Sequence, residues 1–259
     1  MSYNLLSQSH QFDVMGTLST INVFYIGHQN GLRVKNAIER SRQQLIDCDN
    51  RFSAWKQDSE LSRYRRGELS NDQLSRDFRE ILERCHQAKE LSQGWFDPWS
   101  LEGGFDPTGL VKGWAIQQAI SKLKLDVVFG AVINVGGDIA VCGRPNDDHR
   151  WHFAVQSPFE RDKISCILEV DNSIATSGGY ERAGELIDPF LKIPCSRLAS
   201  ATVVGPDLCF ADAFATSLCI QGVQGLTWLK DISNYGAVLI DYDGKSYTTE
   251  DLPLTNPRN

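Results

Sequence analysis

The chain has 259 residues, of which 41% are hydrophobic and 23% are charged, and this composition is typical of a protein that buries a sizeable core. Its 26 Lys and Arg residues against 33 Asp and Glu residues give a net charge of −7 without any basic run, so we expect no nucleic-acid partner. No apolar run is long enough to span a bilayer, and the N-terminus shows neither an export signal nor a lipidated cysteine. These features predict a cytoplasmic protein without a membrane anchor.

The cysteines and histidines lack the spacing of metal or redox motifs. Seven cysteines are scattered along the chain, odd in number and without a CxxC pair. This usage predicts free thiols in a reducing compartment rather than a disulfide framework or a zinc site. Any cation that the protein binds is therefore expected to have oxygen ligands.

The N-terminal third predicts strands followed by helices. Residues 12–26 alternate as one strand or a strand pair, with Met15 beside a glycine, where it serves either as core filler or as a ligand contact. Apolar positions at helical spacing predict helices over 32–48 and 74–88. The polar loop between them carries Trp55, which either stacks on a flat ring or attaches the loop to the core.

Residues 94–114 combine aromatic, acidic and glycine residues just before a predicted helix. Gly109 and Gly113 allow a backbone to approach a ligand closely, and Lys112 supplies a cation beside them. An exposed carbonyl oxygen here would also suit a metal site. A glycine-rich entry to a helix is by itself weak support for phosphate binding.

Residues 127–139 read as a strand that runs into Asn134-Val-Gly-Gly-Asp138. This motif indicates a turn first, and it indicates ligand binding only if the turn faces a pocket. Further alternation predicts a hairpin over 151–170, a strand over 199–204 and a second hairpin over 237–247.

The stretch Ala211-Asp-Ala-Phe-Ala-Thr216 opens a predicted helix and has two interpretations. Asp212 and Thr216 are four residues apart, so their side chains share one helix face. A carboxylate and a hydroxyl presented together suit Mg²⁺, which prefers hard oxygen ligands. Alternatively, Asp212 caps the helix and Thr216 hydrogen bonds to the carbonyl one turn earlier.

Taken in order, eight short motifs make the chain resemble the FAD:protein FMN transferases, the ApbE-type flavin transferases. They are Met15-Gly-Thr17, Asp58-Ser-Glu-Leu-Ser62, Phe96-Asp97, Phe105-Asp-Pro-Thr-Gly-Leu-Val-Lys-Gly113, Asn134-Val-Gly-Gly-Asp138, Ala175-Thr-Ser-Gly178, Ile187-Asp-Pro189 and Ala211-Asp-Ala-Phe-Ala-Thr216. The resemblance implies an α+β fold with T-fold-like antiparallel sheets, packed helices and a flavin cleft between two lobes. We expect one such domain over residues 1–259.

The resemblance also implies the site residues and the cofactors. Mg²⁺ would bind Asp212, Thr216 and a backbone oxygen, which falls on Gly109. FAD would be contacted by the pocket residues Met15, Trp55, Phe96, Asp97, Asp106, Lys112, Asn134, Gly136, Gly137 and Asp138. The implied reaction moves FMN from FAD to a Thr or Ser of an acceptor flavoprotein and releases AMP.

One position departs from the family pattern. Where the family usually has His-x-x-Asp-Pro, this chain has Glu185-Leu-Ile-Asp-Pro189. We expect Glu185 to act as the catalytic base together with the metal-binding Asp212, and we predict slow turnover. The alternatives are an FAD pyrophosphatase that uses water as the acceptor, and a flavin-binding protein with impaired catalysis.

Overall fold

The computed structural model describes residues 5–101, 103–146, 150–160, 162–178, 186–250, 252 and 254–255. The helices are α1 Gly31–Phe52, α2 Glu60–Arg65, α3 Arg76–Leu91, α4 Thr108–Ser121, α5 Leu208–Gln221 and α6 Leu226–Leu229. The strands are β1 Leu5–Val14, β2 Thr17–Ile26, β3 Val128–Val135, β4 Asp138–Gly143, β5 Trp151–Gln156, β6 Ile164–Val170, β7 Ser173–Ser177, β8 Ser200–Gly205, β9 Gly236–Ile240, β10 Ser246–Thr248 and β11 Leu254–Thr255. The predicted α+β class with antiparallel sheets is confirmed.

The strands form two antiparallel sheets. The larger sheet has the order β1-β2-β3-β4-β7-β8-β9-β10, and the smaller has the order β11-β6-β5. The β1–β2 and β3–β4 hairpins lie side by side, with Ser19 of β2 paired to Val135 of β3. Because β2 and β3 are antiparallel, the turns of both hairpins lie at the same end of the sheet.

Each face of the large sheet buries its own apolar core, and the period-2 alternation of β3 shows how. Ala131, Ile133 and Val135 point into a core shared with the helices. Val132 points to the opposite face, where it packs with residues of the small sheet such as Trp151. Strands buried on both faces in this way are apolar almost throughout.

Helices α4 and α5 are buried on nearly all sides and form the centre of the molecule. In α5, apolar residues such as Phe214 and Leu218 are fully buried, and so is the hydroxyl-bearing Ser217. Helices enclosed in this way lose the polar stripe that marks an amphipathic helix in a sequence. The sequence placed residues 94–114 before a helix and opened the other helix at Ala211, whereas α4 begins at Thr108 and α5 at Leu208.

Most of the predicted elements are present, and three short ones, α2, β7 and β11, were not predicted. The strands and hairpins over 12–26, 127–139, 151–170 and 237–247 are confirmed, as are the helices over 32–48 and 74–88. Helix α2 has only six residues and β7 only five, so neither is long enough to show a clear hydrophobic periodicity in the sequence. The seven cysteines are free, as expected.

No helix in the described ranges is both long enough and apolar enough to cross a bilayer.

Candidate functional site

The contact between α4 and α5 places Asp212 against the backbone of α4. The Gly113 N–H donates a hydrogen bond to Asp212 Oδ2 at 3.1 Å. A Cβ atom on residue 113 would lie 2.3 Å from the carbonyl oxygen of Leu208, so only glycine permits this approach. The sequence suggested that Gly113 makes room for a ligand. The structure corrects this interpretation, because the backbone that approaches Gly113 belongs to α5.

The Asp212 carboxyl is buried and lies in a negative environment. Its residue is 4% exposed. Burial raises the pKa of the Asp212 carboxyl and the charge of Asp138 raises it further, while the Lys112 ammonium and the Gly113 N–H oppose the rise. A buried carboxylate of raised pKa needs a compensating positive charge to remain ionised at neutral pH. The helix-cap alternative for Asp212 is wrong, because Asp207 is the N-cap of α5.

Lys112 and Asp138 form an ion pair beside this carboxyl. Lys112 Nζ lies 2.7 Å from Asp138 Oδ2, in an ion pair rather than a well-aligned hydrogen bond. Asp138 Oδ1 accepts a hydrogen bond from the Thr176 N–H at 3.1 Å. These contacts join α4, β4 and β7 at one point. In this structure Lys112 offsets the charge of a buried protein carboxylate.

Thr216 faces away from its own helix, toward α4 and β7. Its Oγ1 lies 3.2 Å from Ser177 Oγ at the end of β7. A Cβ atom built on Gly109 would lie 3.6 Å from Thr216 Oγ1, so Gly109 is in direct reach of this hydroxyl. The alternative in which Thr216 hydrogen bonds to its own helix is wrong. The structure thus brings Gly109 and Thr216 together. It also places Ser177 beside them, a residue that the sequence offered only as part of the motif Ala175-Thr-Ser-Gly178.

The two hairpin turns lie next to this helix pair. Met15 has a φ of 53° and Gly16 a φ of 72°, as the two-residue turn between β1 and β2 requires. Gly136, with a φ of 59°, lies so close to Thr17 that a Cβ atom there would be 2.9 Å from the threonine side chain. The β1–β2 turn and the Asn134–Asp138 turn therefore lie side by side at one end of the sheet, where Thr17 contacts Gly136.

A small cleft opens beside the second turn. It has a volume of about 170 Å³ and lies between the large sheet and β5 of the small sheet. Its lining includes Asn134, Gly136, Gly137, Phe153 and Thr176. The Asn134 side chain accepts a hydrogen bond from the Gly137 N–H at 2.9 Å, which stiffens the turn. The sequence indicated ligand binding by the Asn134–Asp138 motif only if its turn faces a pocket, and the turn does line this cleft.

The remaining predicted flavin contacts occupy different positions. Phe96 is buried and packs against Gly109, whereas Trp55 is 94% exposed. Asp97 pairs with Lys89 at 2.9 Å. Asp106 pairs with Arg65 at 2.8 Å and accepts a hydrogen bond from the Thr108 N–H at the start of α4. The two carboxylates thus orient the loops around α4.

Glu185 lies outside the described residues. On its C-terminal side, Asp188 is 1% exposed and accepts hydrogen bonds from the backbone N–H groups of Phe190 and Leu191. The Arg197 guanidinium lies 3.2 Å from its second oxygen. Asp188 therefore anchors the loop that follows Glu185.

A larger cavity lies at the other end of the β3–β4 hairpin. It has a volume of about 460 Å³, and its lining includes Lys124, Phe129, Cys142 and Asp171. None of the predicted site residues lines it. Volume alone does not identify a site, and the predicted residues Asn134, Gly136 and Gly137 line the smaller cleft instead.

The donor atoms at the helix pair suit a hard cation. Across the described part of the chain, no three His, Cys, Asp or Glu side chains gather as metal ligands. Asp212 instead offers a buried carboxylate, and Thr216 offers a hydroxyl within reach of the Gly109 backbone. A carboxylate, a hydroxyl and a carbonyl oxygen are ligands that Mg²⁺ accepts while it keeps other positions for water or phosphate.

Curated relatives resemble this chain in sequence. It is 30% identical over 153 residues to "FAD:protein FMN transferase" of Rhodobacter capsulatus, a match that covers 54% of this chain and 29% of that protein. It is 21% identical to the protein of the same name from Haemophilus influenzae, over 80% of this chain and 78% of that protein. A third relative of that name, from Vibrio cholerae, is matched at 28% identity over 46% of this chain and 39% of its own length. The chain thus spans well under half the length of two of these relatives.

Solved structures and a family model agree on the fold. The flavin transferase ApbE from Vibrio cholerae superposes with a TM-score of 0.78 at 20% identity, covering 96% of this chain and 98% of that one. The apo form of the Pseudomonas stutzeri flavinyl transferase ApbE superposes with a TM-score of 0.80, covering 95% of each chain. The model of the ApbE family matches residues 15–102 and 101–239. Since this match takes in the helix pair, both hairpin turns and the cleft, the chain belongs to the ApbE family.

Proposed function

We propose that this protein is an Mg²⁺-dependent FAD:protein FMN transferase that moves FMN from FAD to a Thr or Ser of an acceptor flavoprotein and releases AMP. The observation that carries the proposal is the meeting of Asp212, Thr216 and Gly109 at the contact between α4 and α5. Membership of the ApbE family and the names of the curated relatives support it.

The residues present fit the proposed cation. Asp212 is buried with a raised pKa, and a bound divalent ion would favour its ionised form. Thr216 and the Gly109 carbonyl would supply the other protein oxygens. When bound, Mg²⁺ would offset the negative charge of the FAD pyrophosphate. An acidic protein with a net charge of −7 has particular need of such a charge.

The turns supply the part of the site that receives the flavin nucleotide. Gly136 and Gly137 are exposed and bear no side chain, so a ligand can approach their backbone closely. Asn134 holds that turn in shape, and Thr176 lies on the same wall of the cleft. The other flavin contacts that we propose are Met15 and Phe96, together with Trp55, Asp97, Asp106 and Lys112.

The chain's own groups position the reactants, because phosphoryl transfer depends on placement and charge more than on covalent help from the protein. Glu185 is the group that we propose to accept the proton of the acceptor hydroxyl. A carboxylate performs this step at neutral pH if its surroundings raise its pKa toward the working pH.

The decisive experiment supplies the purified protein with FAD, Mg²⁺ and a threonine-bearing acceptor protein. We expect AMP in solution and covalent flavin fluorescence on the acceptor in a denaturing gel. AMP and FMN without a labelled acceptor would identify the protein as an FAD pyrophosphatase. Saturable FAD binding without AMP would identify it as a flavin-binding protein that lacks catalysis.

A further inference from the structure

The hydroxyl of Thr216 lies next to a second hydroxyl, that of Ser177, to which the proposed function assigns no role. Ser177 Oγ lies 3.2 Å from Thr216 Oγ1, and both side chains are partly buried. The next residue along α5, Ser217, behaves differently, because its hydroxyl donates to the Ala213 carbonyl of its own helix at 2.8 Å. Two adjacent hydroxyl residues of one helix are therefore held in two different ways.

Ser177 is itself held firmly in place. It ends β7, where its backbone pairs with Ala201 of β8. Its carbonyl oxygen lies 3.7 Å from Cys219 Sγ, one turn further along α5 than Thr216. A strand pairing on one side and a contact with α5 on the other fix the position of the Ser177 backbone relative to α5.

A hydroxyl that binds a cation has to direct a lone pair at the cation and its proton elsewhere. If Thr216 donates its proton to Ser177, the lone pairs of Oγ1 are left for the side that faces Gly109. We infer that Ser177 is a positioning residue for Thr216, which accepts the threonine proton and so orients Oγ1 as a ligand of the divalent cation. This inference rests on the proposed function, and it adds a residue to the proposed metal site.

The test measures metal binding directly, without relying on turnover. Mn²⁺ is titrated into the full-length protein at saturating FAD, and free Mn²⁺ is followed by electron paramagnetic resonance. We expect Ser177→Ala to weaken Mn²⁺ binding about tenfold, the size expected for a hydrogen bond to a charged site. Ser177→Thr keeps the hydroxyl and should bind within about twofold of the wild type. Ser217→Ala, the matched control one residue along α5 from Thr216, should leave Mn²⁺ affinity unchanged.

A double-mutant cycle separates positioning from a general structural effect. If Ser177 acts through Thr216, adding Ser177→Ala to Thr216→Ala should weaken Mn²⁺ binding no further. Ser177→Cys keeps the side-chain shape with a weak acceptor, and it should reproduce the loss if Ser177→Ala does not fold.

Two results would overturn the inference while leaving the proposed function intact. They are wild-type Mn²⁺ affinity in both Ser177→Ala and Ser177→Cys, and fully additive losses in the double mutant. If the wild-type protein itself binds no Mn²⁺ in the presence of FAD, the proposed metal dependence fails, and the role of Ser177 fails with it.

Discussion

Lys112 Nζ and Asp138 Oδ2 lie 2.7 Å apart, and the Asp138 side chain is only 1% exposed, whereas that of Lys112 is 32% exposed. A half-buried ammonium thus neutralises a fully buried carboxylate next to Asp212. Removing the ammonium alone would leave Asp138 buried without that charge, which is far more costly than losing a surface ion pair.

Lys112→Met should therefore destabilise the protein by about 3 kcal/mol in urea denaturation at neutral pH. The matched control is Lys163→Met, because Lys163 pairs with Glu160 at the same distance of 2.7 Å with both side chains well exposed. We expect the control to change the free energy of unfolding by about 0.5 kcal/mol or less. Equal effects of the two substitutions would show that Asp138 does not depend on Lys112.

Asp212→Asn should have opposite effects with and without metal. Without metal, the variant should be as stable as the wild type or more stable, because it replaces a buried carboxylate of raised pKa by a neutral group of the same shape. With Mg²⁺ and FAD, only the wild type should gain stability, since ligands that bind the native state raise its melting temperature. Differential scanning calorimetry with and without the two ligands gives the comparison. An equal gain in the variant would remove Asp212 from the metal site.

The two glycines of α4 should respond differently to alanine. A Cβ atom at Gly113 would lie 2.3 Å from the Leu208 carbonyl, whereas one at Gly109 would meet nothing nearer than 3.4 Å. Gly113→Ala should force α4 and α5 apart and lower the free energy of unfolding by about 2 kcal/mol or more. Gly109→Ala should leave it nearly unchanged or slightly raised, because alanine favours a helix. Urea denaturation of both variants tests this, and a harmless Gly113→Ala would contradict the close helix contact.

The sequence predicted which residues share a helix face better than it predicted their contacts with other elements. The spacing of Asp212 and Thr216 predicts that they share one helix face, and both lie in the single helix α5. Ser177 is 39 residues from Thr216 in sequence, and its contact exists only because α5 packs on β7. In the same way, Gly113 reads as a ligand-binding glycine until the position of Leu208 is known. Periodicity predicts which residues lie on the same face of one helix or strand. Contacts between residues of different helices and strands can be known only from the tertiary fold.

The stability of the protein should fall in alkaline solution as buried thiols ionise. Burial raises the pKa of the Cys48 thiol from 9.0 to about 11. Above pH 9 the unfolded chain loses the thiol proton while the native chain keeps it, so the free energy of unfolding decreases until the pH reaches about 11. Each unit of the pKa difference corresponds to about 1.4 kcal/mol. Urea denaturation from pH 8 to pH 11 should show a shallower decrease in Cys48→Ala than in the wild type, and parallel curves would exclude this contribution.

The last prediction concerns Glu185, which stands where the family usually has histidine. An ionised carboxylate beside the FAD pyrophosphate repels the substrate, and it accepts a proton well only when its pKa lies near the working pH. We therefore expect slow turnover by the wild type, with a rate that follows the titration of a carboxylate. Glu185→His should raise flavin transfer to a threonine-bearing acceptor, and Glu185→Gln, which keeps the shape without a basic oxygen, should lower it. Covalent flavin fluorescence on the acceptor and AMP release measure both variants. If Glu185→Gln equals the wild type in both assays, the acceptor proton goes to another group or to solvent.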